Sequence, residues 1–297
     1  MEKTNDKLTV QNQFVSPWQY RWGLMRRNRG AMIGLAILVT FGILAAAAPW
    51  IAPFDPIKMD LLNTLKPPTS EHWLGTDELG RDALSRLLYG ARISLTIGFV
   101  IEAIAVTVGV SIGAISGYFG GKIDAILMRL VDVISAFPFL IIAIAAVAVL
   151  GPSLLNMLLV LTGVLWVRYA RLIRGLVLTI KTQEYVEAAQ ALGGSHVQII
   201  FRHIIPGCLG VIIVQATFGI AGTILTASGL SFLGMGAQPP TAEWGAMLSG
   251  AKPHLRSLPV LSIAPGMAIM FTVLAINFVG DALRDAFDPH VLKVKLD

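Results

Sequence analysis

Charge is what this chain has least of. Only 14% of its 297 residues are Asp, Glu, Lys or Arg, against roughly 25% in an average soluble domain. Cysteine is nearly absent: Cys208 stands alone at the edge of an apolar run, which excludes an internal disulfide framework and a thiolate metal cluster. The five histidines, His72, His196, His203, His254 and His290, include no close HxxxH pair, so no metal ligands are assigned. No GxxxxGK[ST] stretch occurs, and the chain therefore has no P-loop with which to cradle nucleotide phosphates. HExxH is missing too. No catalytic residue is assigned, no cofactor is expected on the chain itself, and an enzyme is not the expected class.

What the chain has is apolar length. Hydrophobic residues make up 55% without counting glycine and the mean hydropathy is +0.71, where soluble domains reach roughly 45 to 50% with glycine included. This composition predicts an all-α membrane protein. A polar segment, 1–29, precedes a first span over 30–51. The small residues Ala45 to Ala48 offer a signal-peptide reading, but an apolar run of about 20 residues exceeds the ~7 to 15 of a signal core and suffices to cross a bilayer. Five more apolar runs, near 93–115, 131–150, 154–167, 209–230 and 260–279, bring the expected number of spans to six. They divide the chain into an external loop at 52–91, a five-span core at 92–280 and a tail at 281–297.

The net charge of +5 and pI near 9.5 do not point to nucleic acid, because the basic residues flank the spans and form no stripe. They report orientation instead. With a cytoplasmic amino terminus, 16 of the 23 Lys and Arg lie inside and 7 outside, namely Lys58, Lys66, Arg81, Arg86, Arg92, Lys252 and Arg256. Both termini are expected in the cytoplasm.

Between the fourth and fifth spans lies a polar island, 182–206, reading TQEYVEAAQALGGSHVQIIFRHIIP. Thr182 is placed to cap a helix with Glu184 in its first turn. Tyr185, Ala188, Ala189 and Leu192 share one face by their spacing. Gly193 and Gly194 end that helix, and Ser195 with Gln198 form a capping box for a second. Its face is Val197, Ile200, Phe201 and Ile204, and Pro206 is expected to end it. The alternative is an ordinary connecting loop.

The island resembles the EAA loop of ABC importer permeases: Glu-Ala-Ala, three residues, Gly, nine residues, Ile, any residue, Leu, Pro. Glu187, Ala188, Ala189, Gly193 and Pro206 match, Ile205 takes the Leu position, and His203 stands where the pattern has Ile. Three further stretches resemble the dipeptide and oligopeptide branch of that family: the Gly75 to Arg86 run GTDELGRDALSR, the Gly234 to Trp244 run GMGAQPPTAEW, and the Gly280 to His290 run GDALRDAFDPH. The resemblance implies a six-span permease in a bacterial or archaeal cytoplasmic membrane. It implies that 182–206 is a cytoplasmic coupling loop, with Glu184, Glu187, Ala188, Ala189, Gly193, Arg202 and Pro206 meeting a separate ATPase subunit. The implied assembly has a second homologous permease, two ATPases holding ATP and Mg, and an extracytoplasmic substrate-binding protein. Peptides are the implied cargo, with nickel, opine or glutathione as the alternative.

Other residues have two readings each. Thr76 or Asp77 is placed to cap a short interfacial helix in the external loop, with Trp73 and Tyr89 at headgroup level. Glu102, inside the second span, reads either as pathway-lining, even as the ion site of a secondary transporter, or as a structural carboxylate. Gln215 and Thr223 in the fifth span, Pro138 in the third and Pro265 in the sixth are further pathway-lining candidates; helix–helix bonding and ordinary membrane-helix composition are the alternatives. Arg129 and Asp132 are spaced to pair, and Arg168, Arg171 and Arg174 to snorkel toward lipid headgroups. A helix-turn-helix at 182–206 is disfavoured, since Glu184 and Glu187 would repel phosphate.

The orientation is testable in intact cells. A reporter fused after Asp297 should be active only in the cytoplasm, and a cysteine placed near Pro67 should label with an impermeant reagent from outside.

Overall fold

The computed structural model describes residues 17–287; the expectations for 1–16, for His290 and for the rest of the tail lie outside the described residues. The order is α1 (Pro17–Arg27), α2 (Arg29–Ile51), α3 (Ala83–Phe119), α4 (Gly121–Ser135), α5 (Phe139–Leu150), α6 (Leu154–Ile180), α7 (Glu184–Ala191), α8 (His196–Ile199), α9 (Ile205–Phe232), α10 (Trp244–Ala251) and α11 (Val260–Phe287). Apart from one isolated bridge between Thr76 and Asp82, the described residues contain no β-structure.

Five helices, Arg29–Ile51, Ala83–Phe119, Leu154–Ile180, His196–Phe232 and Val260–Phe287, are long and apolar enough to cross a membrane. The third expected span is not one rod. It is the pair α4 and α5, bent by 83° around Pro138. Proline has no amide hydrogen to continue the ladder and pushes the residue before it out of the α region, so the helix stops and restarts. The fourth span runs to Ile180, well past Val167, because its three arginines continue the helix.

Polar side chains start the helices. Asn28 accepts from the Ala31 amide, Asp82 from Ser85 and Ser153 from Asn156, each satisfying an amide that has no partner inside its helix. The buried Glu243 carboxylate accepts from the Gly245 and Ala246 amides, both at 2.9 Å, and from the Ser94 hydroxyl of α3. Trp244 beside it is buried and donates through its indole nitrogen to the Leu87 carbonyl, which pins α10 to α3.

The expected short helix in the external loop does not form. Asp77 turns its carboxylate onto the Leu79 and Arg81 amides, and Gly80 takes a φ of +72° against the Asp60 backbone. That turn is incompatible with a helix through 76–82. Asp82 caps instead, and one helix of 37 residues follows.

The most extensive helix contact among the described residues is α3 against α6. Gly109, Gly113 and Gly117 recur every four residues, and a Cβ at Gly113 would stand 2.5 Å from the Ala170 carbonyl oxygen. A Cβ at Gly109 would be 2.4 Å from that of Tyr169. Small residues at this spacing let membrane helices approach backbone to backbone. The GxSxG string formed by Gly109, Ser111 and Gly113 belongs to this stripe: it lies mid-helix, and Ser111 donates to the Thr107 carbonyl one turn back.

Gly113→Ala should therefore overpack the interface and cost about 1 to 3 kcal/mol. Gly163→Ala, where a Cβ meets nothing within 4 Å, should be neutral or stabilising by up to ~1 kcal/mol. Thermal unfolding of the two variants in detergent checks the contrast.

Candidate functional site

The loop 182–206 folds into a bracket at one end of the bundle. Thr182 does not cap α7; its hydroxyl donates to Thr179, and Gln183 holds the cap position without a side-chain bond. At the other end of α7, Gly193 has φ +80°, its amide donates to Gln190 and that of Gly194 to Ala189. This pair of bonds is a Schellman closure, which needs a left-handed residue where Gly193 stands. Ser195 then caps α8, accepting from the Gln198 amide at 3.3 Å.

Pro206 does not end the second helix. A π-turn over Ile200–Ile204 carries α8 directly into α9, with the Ile205 amide donating to Ile200. The widened turn accommodates a proline that would otherwise clash with the preceding carbonyl and break the helix. The second arm of the bracket is thus the first part of the fifth span.

Its apolar residues divide in a way that periodicity alone does not give. Val186, Ile199, Ile200 and Ile204 are buried with Ala114, Ile173, Val177 and Cys208 of the bundle. Tyr185 (51% exposed), Leu192 (88%), Val197 (66%) and Phe201 (67%) face outward, beside the exposed Glu184, Glu187, Ala188 and Arg202. Ala189 is half-buried. Further bonds tie the bracket to the spans: Tyr118 at the end of α3 meets His196 Nδ1 at 2.8 Å, and Lys181 donates to the Gly117 carbonyl at 2.9 Å.

Deeper in the bundle the structure brings together Glu102 and Thr223 from the pathway candidates. Glu102 is 1% exposed. Its carboxylate accepts from Arg168 Nη2 at 2.6 Å to each oxygen, from Thr223 Oγ1 at 2.7 Å, and from the Tyr169 hydroxyl. Tyr169 also reaches the Gln215 carbonyl at 3.2 Å, while the Gln215 side chain takes no part. Gly219 is required there, since a Cβ would overlap the Glu102 carboxylate at 1.9 Å. Pro138 is exposed at the α4–α5 bend and Pro265 is buried in α11; neither belongs to this cluster. With both oxygens engaged by three side chains, Glu102 has the surroundings of a structural carboxylate.

The arginines do not snorkel. Arg168 turns inward to Glu102, Arg171 bonds Asp132 at 3.2 Å, and Arg174 bonds Asp124 through two nitrogens at 2.5 and 2.6 Å. Asp132 is bonded to Arg171 across the helix pair rather than to Arg129. The acids stand one on α3 and two on α4, so a ladder of three pairs ties α6 to its neighbours. Spacing within one helix could not reveal it; the regular three-residue repeat of arginines beside an apolar span was the available signal.

The family model described as the binding-protein-dependent transport system inner membrane component matches residues 109–293, and that for the N-terminal TM domain of oligopeptide transport permease C matches 16–68. The chain belongs to this permease family. A dipeptide transport system permease protein, DppC, from Alkalihalophilus pseudofirmus is 43% identical over 93% of this chain and 91% of its own length. One from Haemophilus influenzae is 42% identical over 93% and 96%. The glutathione transport system permease protein GsiD of Escherichia coli O157:H7 is 41% identical over 96% and 94%. Among solved structures, an inward-facing form of the MetNI methionine ABC transporter superposes with a TM-score of 0.55 at 19% identity, over 69% of this chain and 97% of that one, which shows the shared fold. The protein is a multi-pass permease subunit of an ABC importer, a transport component rather than an enzyme, and such permeases work with ATPase and substrate-binding partners.

The intramembrane cluster yields a graded expectation. Arg168→Leu leaves Glu102 buried without its counter-charge and should cost about 3 to 5 kcal/mol. Glu102→Gln keeps one acceptor oxygen, enough for Tyr169 or Thr223 but not both, and leaves uncompensated only Arg168, which is 36% exposed, so it should cost less, with uptake near normal if no ion is carried on this carboxylate. Unfolding midpoints in detergent and uptake in cells read the two.

Proposed function

We propose that this chain is one of a pair of homologous permeases that import short peptides, driven by two ATPase subunits seated on the bracket at 182–206. The observation that carries the reading is the outward apolar patch of Tyr185, Leu192, Val197 and Phe201, rimmed by Glu184 and Glu187, on an element otherwise fixed to the bundle through buried side chains. Exposed apolar clusters with a polar rim are characteristic of docking surfaces. ATP and Mg would be held by the ATPases. The charge asymmetry supports a cytoplasmic bracket and cytoplasmic termini, with the loops 52–82 and 233–259 outside, where a substrate-binding protein would deliver cargo. Relatives named for dipeptides and for glutathione, itself a tripeptide, support a short-peptide cargo; nickel and opines find no support among these names.

The bracket is placed to act as a lever. It is continuous with α9 through the π-turn, and Tyr118 links it to α3. Closure of the ATPases on nucleotide would displace it and carry α9 and α3 along, switching access between the two sides.

Three variants test the docking role without disturbing the bundle. Gly193→Val forces a β-branched residue into a left-handed conformation, about 1 to 3 kcal/mol of local strain. Glu187→Ala and Leu192→Asp change only exposed side chains. All three should accumulate in the membrane with the partner permease. Co-purification of the ATPases and peptide uptake should fall together, and full retention of both would reduce 182–206 to a connecting loop.

A further inference from the structure

At the end of the bundle opposite the bracket, a cavity of about 190 Å³ lies between the turn at 77–81, the start of α3, the end of α9 and α10. Among the residues lining it are Arg81, Arg86, Asp77, Glu78, Gln238 and Gly250. A single water occupies roughly 10 to 15 Å³ by the same measure, so the space suits a small solute or one end of a larger one.

The charges on its wall differ in burial rather than in number: the two arginines are buried, Asp77 is half-buried and Glu78 is exposed. The side chains of Arg81 and Arg86 are each 6% exposed, and both guanidinium groups share one carboxylate, Asp77, at 2.7 and 3.3 Å. That carboxylate is already spoken for by the Leu79 and Arg81 amides. Arg86 donates to the Pro56 and Pro240 carbonyls, whereas Arg81 Nη1 is buried and has no partner among the described residues. The nearby buried acids are committed elsewhere, Asp82 to His72 and Ser85, and Glu243 to the amides of α10. Glu78 is exposed at the rim. A buried guanidinium with an open donor is a costly feature unless an acceptor meets it, and an anionic acceptor meets it most strongly.

The geometry points to a carboxylate-binding site formed by Arg81 and Arg86, which receives the carboxyl terminus of the peptide as it enters the permease. This rests on the peptide-import reading and extends it to a recognition element in the permease itself. A planar guanidinium discriminates a carboxylate from an amide because only the former offers two charged acceptor oxygens. A divalent cation fits poorly: among the described residues no group of three His, Cys, Asp or Glu converges.

The test uses the full chain purified with its co-purifying subunits and no binding protein. Alanyl-alanine, its carboxyl-terminal amide and acetate are titrated calorimetrically. The free acid should bind at least tenfold more tightly than the amide, acetate should compete with it, and Arg81→Gln should remove the preference. A second variant guards against misfolding of the first. Gly250→Leu, whose Cβ meets only Glu78 Oε1 at 3.8 Å, fills the cavity and leaves both arginines in place, and it should also lose the acid at least tenfold. Equal binding of acid and amide by the wild type, or unchanged binding in Gly250→Leu, overturns the site. Uptake measured in cells with the binding protein present is the separate arm. An importer that takes up dipeptides but shows no acid preference in its permease loses the site and keeps its cargo, while one that takes up none loses the peptide reading whatever the titration gives.

Discussion

A carboxylate in the middle of an apolar bundle has to be surrounded or it unfolds the bundle. At the centre of a bilayer an acidic side chain costs ~2.5 kcal/mol or more, and here Glu102 is met by Arg168 and Tyr169 from α6 and Thr223 from α9. Three helices are thereby fixed in register by one group. The requirement spreads outward: Gly219 must be glycine so that the carboxylate and phenol fit, and α6 must come close enough for adjacent residues, Arg168 and Tyr169, both to reach. The stripe of Gly109, Gly113 and Gly117 supplies that closeness.

The same approach of α3 and α6 orders the arginine ladder. Once the two helices touch, Arg171 and Arg174 lie one and two turns beyond Arg168, and the acids of α4 stand opposite them. The Arg171–Asp132 rung is largely solvated, with Arg171 57% and Asp132 67% exposed, and exposed pairs contribute little. Its worth lies in orienting the broken α4–α5 pair, which has few other polar ties to α6.

Much of this was legible in residues and spacing, and the gaps have physical reasons. Apolar length located all six hydrophobic segments, and the Gly193 and Ser195 signals located both turns of the bracket, because these depend on local backbone chemistry alone. Pro206 and Thr182 misled because propensity yields to continuity: a span that must cross a membrane absorbs a proline by widening one turn. Pro138, by contrast, does interrupt its span, where the short α4 and α5 can bend without losing a central contact. The pairing of Glu102 with Arg168 joins residues 66 apart in sequence, and no periodicity carries that information. The glycine stripe is written in the sequence as two consecutive GxxxG steps, Gly109 to Gly113 and Gly113 to Gly117.

Helix length supplies the remaining constraint. At 1.5 Å per residue, the 37 residues of Ala83–Phe119 extend about 55 Å, nearly twice the ~30 Å of a hydrocarbon core. The helical stretch His196–Phe232 is equally long. Both rods therefore project beyond the core, and the projecting ends are where the chemistry sits. Tyr118 and His196 meet at the bracket end, while Arg86 of α3 and Ser231 of α9 face the cavity at the other. Between them the rods are clamped by Glu102 and Thr223. The bond joins the middle of Ala83–Phe119 to a point about three quarters along His196–Phe232, so the two rods share a fixed point between the bracket and the cavity. The buried carboxylate that ties α3, α6 and α9 together thus lies between the bracket at one end of these helices and the cavity at the other.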